Sequence, residues 1–329
     1  MHEIRLCKKE EYKLLQDFIK KEWKKDHIFV KSKQILDFQH FDKNNQRYNF
    51  FVAYNKNTKE FDAILGFILQ SQYDLKTKDN NIWTSLWKAK KQYPSLGLKL
   101  LRYLEQYFNL KNTASAGMSS NSIRYCKLFN YDKLDKLYYF YIKNDYKKTY
   151  KLANFEILEK KYKESSFILK KLNITQIKNS KLKFEFFPNK SIDYFINRYM
   201  KHPIYKYQAY GVFDKEKIIS IFFIRIIKQN NAKCMLIVDC LGKFAKNLYY
   251  QFQELLKKTN CEFISLLCYI NNIKQITKMG FSLKNEKDLI PIYFEPFVKE
   301  NIDIYFAIKS KKKNYAIFKG DSDQDRPNL

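Results

Sequence analysis

The chain has no long apolar run. Its longest, such as Ile218 to Phe223, are far too short to span a membrane. The opening Met1-His-Glu-Ile-Arg-Leu lacks an apolar signal segment. Paired cysteines are missing too. Cys7, Cys126, Cys234, Cys240, Cys261 and Cys268 show no CxxC spacing and no zinc-ligand pattern, and most sit in apolar stretches. They read as reduced core residues, and the expected compartment is cytoplasmic. There is no Walker loop and no Ser-His-Asp or Cys-His set, and no metal site is expected. Arginine, the better reader of bases and phosphates, is scarce. The formal charge of +28 is therefore almost entirely lysine. Those lysines are spread along the chain, with Lys309-Ser-Lys-Lys-Lys313 the densest run. The charge reads as a solvated lysine surface that favours small polyanions. A nucleic-acid partner is not expected.

What is present is enough for two domains: 329 residues, 45% of them hydrophobic. In the first half, apolar spacing predicts a helix from Glu10 to Lys24 and two antiparallel strands, Tyr48–Tyr54 and Phe61–Gln70, joined by a turn. A strand Ile82–Trp87 then runs through a basic turn, Lys88–Lys91, into a helix Leu98–Phe108. A strand Thr113–Met118, a helix Asn121–Phe129 and an aromatic strand Leu137–Ile142 follow. The order then recurs. It comprises a helix Ser191–Met200, a hairpin Gln208–Phe213 and Lys217–Ile227, a strand Cys234–Asp239, a helix Lys246–Thr259, a strand Phe263–Cys268 and a helix Asn272–Met279 closed by Gly280-Phe281. Strands Leu289–Phe294, Ile302–Ile308 and Tyr315–Lys319 complete it. Repetition at this scale implies two similar domains, expected at 1–145 and 146–329.

A helix that starts at the carboxyl end of a strand offers unpaired backbone N–H groups and a positive dipole end to a phosphate. Here the junction reads Gln92-Tyr-Pro-Ser95-Leu-Gly97. It resembles the signature of the GNAT acyltransferases: Gln or Arg, two residues, Gly, one residue, then Gly or Ala. Ser95 stands where the first Gly is usual, and Leu100 and Leu101 fall on the family's Leu pair. The resemblance implies an α/β fold of two tandem GNAT-like domains, each a mixed, mostly antiparallel twisted sheet flanked by helices. It implies acetyl-CoA or another acyl-CoA as cofactor. Its seat would be Gln92, Ser95, Leu96, Gly97, Leu98 and Lys99, with the backbone of Ser85, Leu86 and Trp87 on the pantetheine arm and the acyl carbonyl. Asn121 would bond the pantetheine side. In the second copy the loop Leu241-Gly-Lys-Phe-Ala-Lys has no matching Gly pair, so the first copy is expected to hold the cofactor.

Acyl transfer to an amine needs a polarised carbonyl, a neutral amine and a protonated or stabilised leaving thiolate. By the resemblance Tyr125 would protonate the thiolate; the alternative is a core aromatic. Asp26, His27, Asp37 and His40 follow the first helix, where the family lines its acceptor site. His27 or His40 could take the amine proton near neutral pH; otherwise His27 caps structure and His40 lies on the surface. Trp83 and Thr84 could form a wall for a sugar ring, or pack in the core.

The end of the chain resembles a further group. Ile290-Pro-Ile-Tyr-Phe-Glu295-Pro-Phe, Asn301-Ile-Asp-Ile, and Phe318-Lys-Gly-Asp321-Ser-Asp323-Gln-Asp325-Arg326-Pro-Asn328 look like the end of tandem GNAT-like proteins encoded with bacterial surface-polysaccharide genes. Read as an extended segment, Asp321, Asp323 and Asp325 would point to one side, where with Arg326 and Glu295 they would bind a sugar. The expected reaction is transfer of an acetyl or other small acyl group from acyl-CoA to an amino group of a sugar, with a nucleotide-linked sugar expected. The rivals are a tandem-GNAT transferase that uses aminoacyl-tRNA and a non-catalytic binding module with a decayed cofactor site.

Overall fold

The computed structural model describes residues 1–109, 111–156 and 161–327. The chain forms two compact units. Where a single cut near residue 145 was expected, the units interleave. The first holds Met1–Asp135, Tyr305–Lys311 and the chain from Ser322 onward; the second holds Lys136–Ile304 and Lys312–Asp321.

The first unit opens with a strand that the periodicity did not suggest, β1 (His2–Lys8), followed by α1 (Tyr12–Glu22), α2 (Ile28–Lys31) and α3 (Lys33–His40). Then come β2 (Arg47–Asn55), β3 (Glu60–Ile68), β4 (Ile82–Ala89), α4 (Ser95–Phe108), β5 (Thr113–Ala116), α5 (Ser120–Leu128) and β6 (Lys133–Lys136). A late strand, β14 (Tyr305–Lys309), joins them, and the sheet runs β1-β2-β3-β4-β5-β14-β6. The pairing of β4 with β5 is parallel, whereas those of β1–β2, β2–β3, β3–β4 and β5–β14 are antiparallel.

Alternation along the strands builds both faces. Phe50, Val52 and Ile64 point to one side and meet Leu15, Phe18, Ile28, Phe29, Ile35 and Leu36 of the first three helices. Phe51, Ala53, Leu65 and Phe67 point to the other and meet Leu96, Leu100, Leu101 and Leu104 of α4. Burial of each such leucine stabilises by roughly 1.5–3 kcal/mol. The helix α4 starts at Ser95, earlier than the expected Leu98, because Pro94 has an α-region backbone and sits as its N-cap.

The second unit repeats the plan. It contains β7 (Tyr138–Lys143), β8 (Ile168–Leu172), α6 (Ile174–Asn179), α7 (Ile192–Phe195) with a π turn to Met200, β9 (Tyr207–Asp214), β10 (Lys217–Gln229) and β11 (Ala232–Gly242). Next come α8 (Tyr249–Thr259), β12 (Phe263–Ile270), α9 (Lys274–Met279), β13 (Ser282–Leu283) and β15 (Ala316–Phe318). The sheet order is β13-β7-β12-β11-β10-β9-β8, with β15 also on β12. So β7, expected to finish the first domain, pairs with β12 of the second unit, and β14 takes the matching place beside β5 in the first. Of the expected strand Leu289–Phe294, only Tyr293–Phe294 is strand, in a short ribbon with Phe297–Val298.

Candidate active site

Each unit has a short parallel strand pair that is followed by divergence. Ile82–Thr84 pair with Thr113–Ser115 in the first; Met235–Ile237 pair with Ile264–Leu266 in the second. Both fourth-position strands carry a bulge at that point. In the first unit, Leu65 faces Trp87 and Phe67 faces Thr84, so Ser85 and Leu86 oppose the single residue Gly66. In the second, Phe223 faces Asp239 and Ile224 faces Ile237, which leaves Val238 as the extra residue. A bulge interrupts the ladder and re-aims the chain. The divergence opens a V between two strands, with a helix start at its mouth.

The two Vs differ in what fills them. In the second unit β15 pairs with Cys268–Ile270 of β12, on the edge opposite β7. Lys319 donates its N–H to the Leu267 carbonyl at 3.0 Å, and Gly320 donates to the Val238 carbonyl at 2.7 Å. The segment 316–320 therefore lies between β11 and β12 and takes up their backbone groups. A buried cluster holds it there. Lys190 Nζ lies 2.7 Å from both Asp239 Oδ2 and Asp321 Oδ1, and Tyr199 donates its O–H to Asp239 at 2.8 Å. Burial pushes the Asp239 carboxyl up to about 6, against the pull of Lys190. This packing does not fit an acyl-thioester arm in the second unit.

In the first unit side chains of the tail bridge the apex of the V. Ser322 Oγ donates to the Thr84 carbonyl at 3.3 Å, and Gln324 Nε2 donates to the Ala116 carbonyl at 3.0 Å. Gln324 also covers Gly117, whose left-handed backbone (φ +73) leaves no room for a Cβ beneath that amide. Sequence reasoning passed over Ser322, Gln324, Lys190, Asp239 and Tyr199. Only the unusual tail composition marked that region.

At the mouth, α4 has no side-chain cap at its N-terminus; Gln92, Ser95 and Lys99 are exposed, and Leu98 is half-buried. Leu96 and Gly97 are buried. Leu96 donates its N–H to Tyr93 at 3.1 Å. Gly97 was expected to bring backbone close to a pyrophosphate. Instead its missing Cβ would sit 3.2 Å from the Trp87 indole nitrogen, which donates to the Gly97 carbonyl at 3.0 Å. Glycine here admits the tryptophan. The Tyr125 ring packs half-buried against Trp87, with centroids 5.4 Å apart. Asn121 is exposed, and the cap of α5 is Ser119, whose Oγ accepts from Ser122 N. Asn130 follows α5 in a left-handed conformation, φ 53.

Beside the apex lie His27, His40, Asp323 and Arg326. His27 takes the capping alternative, and His40 matches neither alternative. His27 is the N-cap of α2: its Nδ1 accepts from Phe29 N at 3.2 Å. His40 is fully buried, not on the surface. It is packed edge-on to Phe29 and tilted on Phe50, with Nδ1 3.2 Å from the Phe67 carbonyl. Burial, aided by Arg326, lowers His27 to about 3, and burial lowers His40 to about 4. Both are neutral at pH 7 and are poor proton acceptors there. Arg326 pairs with Asp323, spans the Phe29 ring and brings Nη2 within 3.3 Å of His27 Nε2. Burial opposes ionisation of Asp323, but Arg326 and His40 outweigh it and hold its carboxyl below the usual range. Among the described residues, Ser85 Oγ and both side-chain ends of Gln39 are buried polar atoms of this unit with no hydrogen-bond partner. Such atoms call for water or a ligand's polar groups.

The remaining expected residues are elsewhere or occupied. Asp37 accepts from Tyr48 Oη and Lys33 Nζ, both at 2.5 Å. Asp26 is exposed. Trp83 and Thr84 are buried, so they belong to the core and form no open wall. The tail is a series of turns rather than an extended segment, with Ser322 at φ 54, so Asp321, Asp323 and Asp325 do not share one side. Asp321 and Glu295 belong to the second unit, where Glu295 accepts from Tyr205 Oη at 2.6 Å. Asp325 is buried in the first unit, and Asn328 lies outside the described residues. No group of His, Cys, Asp and Glu suited to a metal ion occurs among the described residues, and none of the described helices is long and apolar enough to cross a membrane.

No family model and no curated protein matches the sequence. Solved structures do match its shape. A GCN5-related N-acetyltransferase from Anabaena variabilis ATCC 29413 superimposes with a TM-score of 0.55 at 9% identity, over 93% of this chain and 72% of that one. A conserved protein of unknown function from Enterococcus faecalis V583, described as a probable N-acyltransferase, gives 0.56 at 8% identity, over 94% and 72%. The fold is the GNAT fold, in tandem. At this identity the likeness speaks for the fold. The chemistry has to come from the V of the first unit and the tail beside it.

Proposed function

We propose that the chain is an acyl-CoA-dependent N-acyltransferase with its thioester site in the first unit. The carrying observation is the contrast between the two Vs. Both have the bulged strand, the brief parallel pairing and the helix at the mouth. In the second unit backbone from 316–320 occupies the V; in the first, Ser322 and Gln324 reach its apex with their side chains. The donor is acetyl-CoA or another small acyl-CoA, and it would supply an activated acyl thioester. The exposed, uncapped start of α4 at Gln92–Lys99 suits the diphosphate. The bulged backbone of Ser85 and Leu86, out of register with the β3 ladder just before Trp87 rejoins it, would polarise the carbonyl. Tyr125, beside Trp87, is placed to hand a proton to the departing thiolate.

On the acceptor side, Asp323 is a carboxylate already paired with Arg326, and the pair would offer an amine a hydrogen-bond acceptor. Gln39 offers further hydrogen-bonding atoms. By the resemblance of the tail, the acceptor is an amino group on a sugar of a bacterial surface polysaccharide, carried on a nucleotide. The test is release of free thiol from acetyl-CoA with a panel of amino sugars and their nucleotide-linked forms. Tyr125→Phe should lower kcat and leave the KM for acetyl-CoA unchanged. Acetyl-CoA binding without turnover on any sugar, combined with transfer from aminoacyl-tRNA, would replace the donor in this reading. Binding without any transfer would reduce the protein to a binding module.

A further inference from the structure

The second unit has a cavity that acyl transfer in the first does not use. Its volume is about 600 Å³, and Lys243, Lys246, Lys274 and Lys278 line it together with Phe186 and Phe244. The lysines come from two backbone segments that are tied together. One is the loop after β11, and the other is α9. Asn247 donates its N–H to the Lys278 carbonyl at 2.9 Å, and Leu248 donates to Met279 at 2.8 Å. The four ammonium groups are therefore held near one space by main-chain bonds. Among the described residues none of them forms an ion pair with a carboxylate. The one acidic residue in the lining is Glu185. A second cavity of the unit, about 440 Å³, is balanced: Lys143 and Lys161 line it with Asp145 and Glu156. Like charges gathered without counter-charges repel, and a bound anion removes that cost.

Two further features narrow the ligand. The Phe186 and Phe244 rings are half-buried, with centroids 5.7 Å apart, and give the cavity an apolar, aromatic side. The strand groove that would lead a longer molecule inward is closed by 316–320. The site suits a compact ligand with one aromatic end and one multiply charged end. We propose that this cavity binds a nucleoside diphosphate, free or as the leaving half of a sugar nucleotide. The phosphates lie among the four lysines and the base lies against Phe186 and Phe244. Lysine suits this task as a mobile point charge on phosphate.

The experiment is a calorimetric titration of the full chain with UDP, ADP, UDP-glucose and inorganic pyrophosphate at 50 and 300 mM salt. Nucleoside diphosphate binding is expected, competed by pyrophosphate and weakened by salt. Lys243→Glu/Lys274→Glu should weaken it at least tenfold and leave acetyl-CoA binding to the first unit intact. Because these side chains are exposed and form no ion pair among the described residues, the variant should fold; Lys246→Glu/Lys278→Glu serves as the second copy of the test. UDP and UDP-glucose distinguish the free from the sugar-linked source. No heat with any probe at millimolar concentration, or unchanged affinity in both variants, overturns the site. Preferential binding of an RNA oligonucleotide that the variants abolish would overturn it in favour of a nucleic-acid surface.

Discussion

Ser95→Asp separates folding from cofactor binding. Ser95 is exposed and is the first residue of α4, whose N-terminus has no side-chain cap. A carboxylate there meets the positive end of the helix dipole and should stabilise the protein by about 0.3–1 kcal/mol. The same carboxylate would lie beside the diphosphate of a bound acyl-CoA. At ~5 Å, each pair of unit charges repels by roughly 0.8 kcal/mol in water and roughly 3 kcal/mol at an effective dielectric constant of 20. With two phosphate charges and partial screening, a net loss of about 2–4 kcal/mol is expected, or roughly thirtyfold to a thousandfold in Kd. Ser95→Asn is the neutral control. Thermal melting and isothermal titration with acetyl-CoA read the two effects separately. Slightly raised melting with lost binding in Ser95→Asp alone is the expected pattern. Equal affinity for wild type, Asp and Asn would refute the placement of the diphosphate at α4.

Two further outcomes follow from buried charge. Lys190→Met leaves Asp239 and Asp321 buried without their cation and should cost about 3–5 kcal/mol. A proton can partly replace the lysine, because burial already raises Asp239 to about 6, so urea titrations should show a larger loss at pH 8 than at pH 5. A loss below ~1 kcal/mol at both would contradict the buried-cluster account. The histidines give the opposite pH dependence. Their folded pKa values, about 3 for His27 and about 4 for His40, lie below the unfolded value near ~6.5. The unfolded chain takes the protons first, so stability is full above pH 6.5 and falls as the pH drops toward 4. For His40 that loss is on the order of 3 kcal/mol. His40→Gln should flatten the slope; an unaltered slope would show that the ring is not buried neutral.

The sequence and the structure agree where local pattern decides. Alternation in Tyr48–Tyr54 and Phe61–Gln70, and the leucine spacing of α4, mark elements that pack on both faces of one sheet. They part where distant segments decide. Leu137–Ile142 has the strand period, yet period says nothing about the partner, and the strand pairs in the second unit. The tail looked like an alternating acidic strand. Its carboxylates are separated by turns because Asp321 accepts from Phe318 N at 2.8 Å while Asp323 binds Arg326. Gly97 fitted a phosphate motif by spacing, but its nearest neighbour is Trp87, ten residues earlier and on the adjoining strand. His40 could not be read as buried from one sequence, since its cage is assembled from Phe29 and Phe50 on other elements.

The decisive measurement is the stoichiometry of acetyl-CoA binding to the intact chain by isothermal titration. One molecule per chain is expected, lost in Ser95→Asp and retained in Lys243→Glu/Lys274→Glu. Two molecules per chain would mean that the second V is open after all, and no binding would mean that the first V does not receive a thioester.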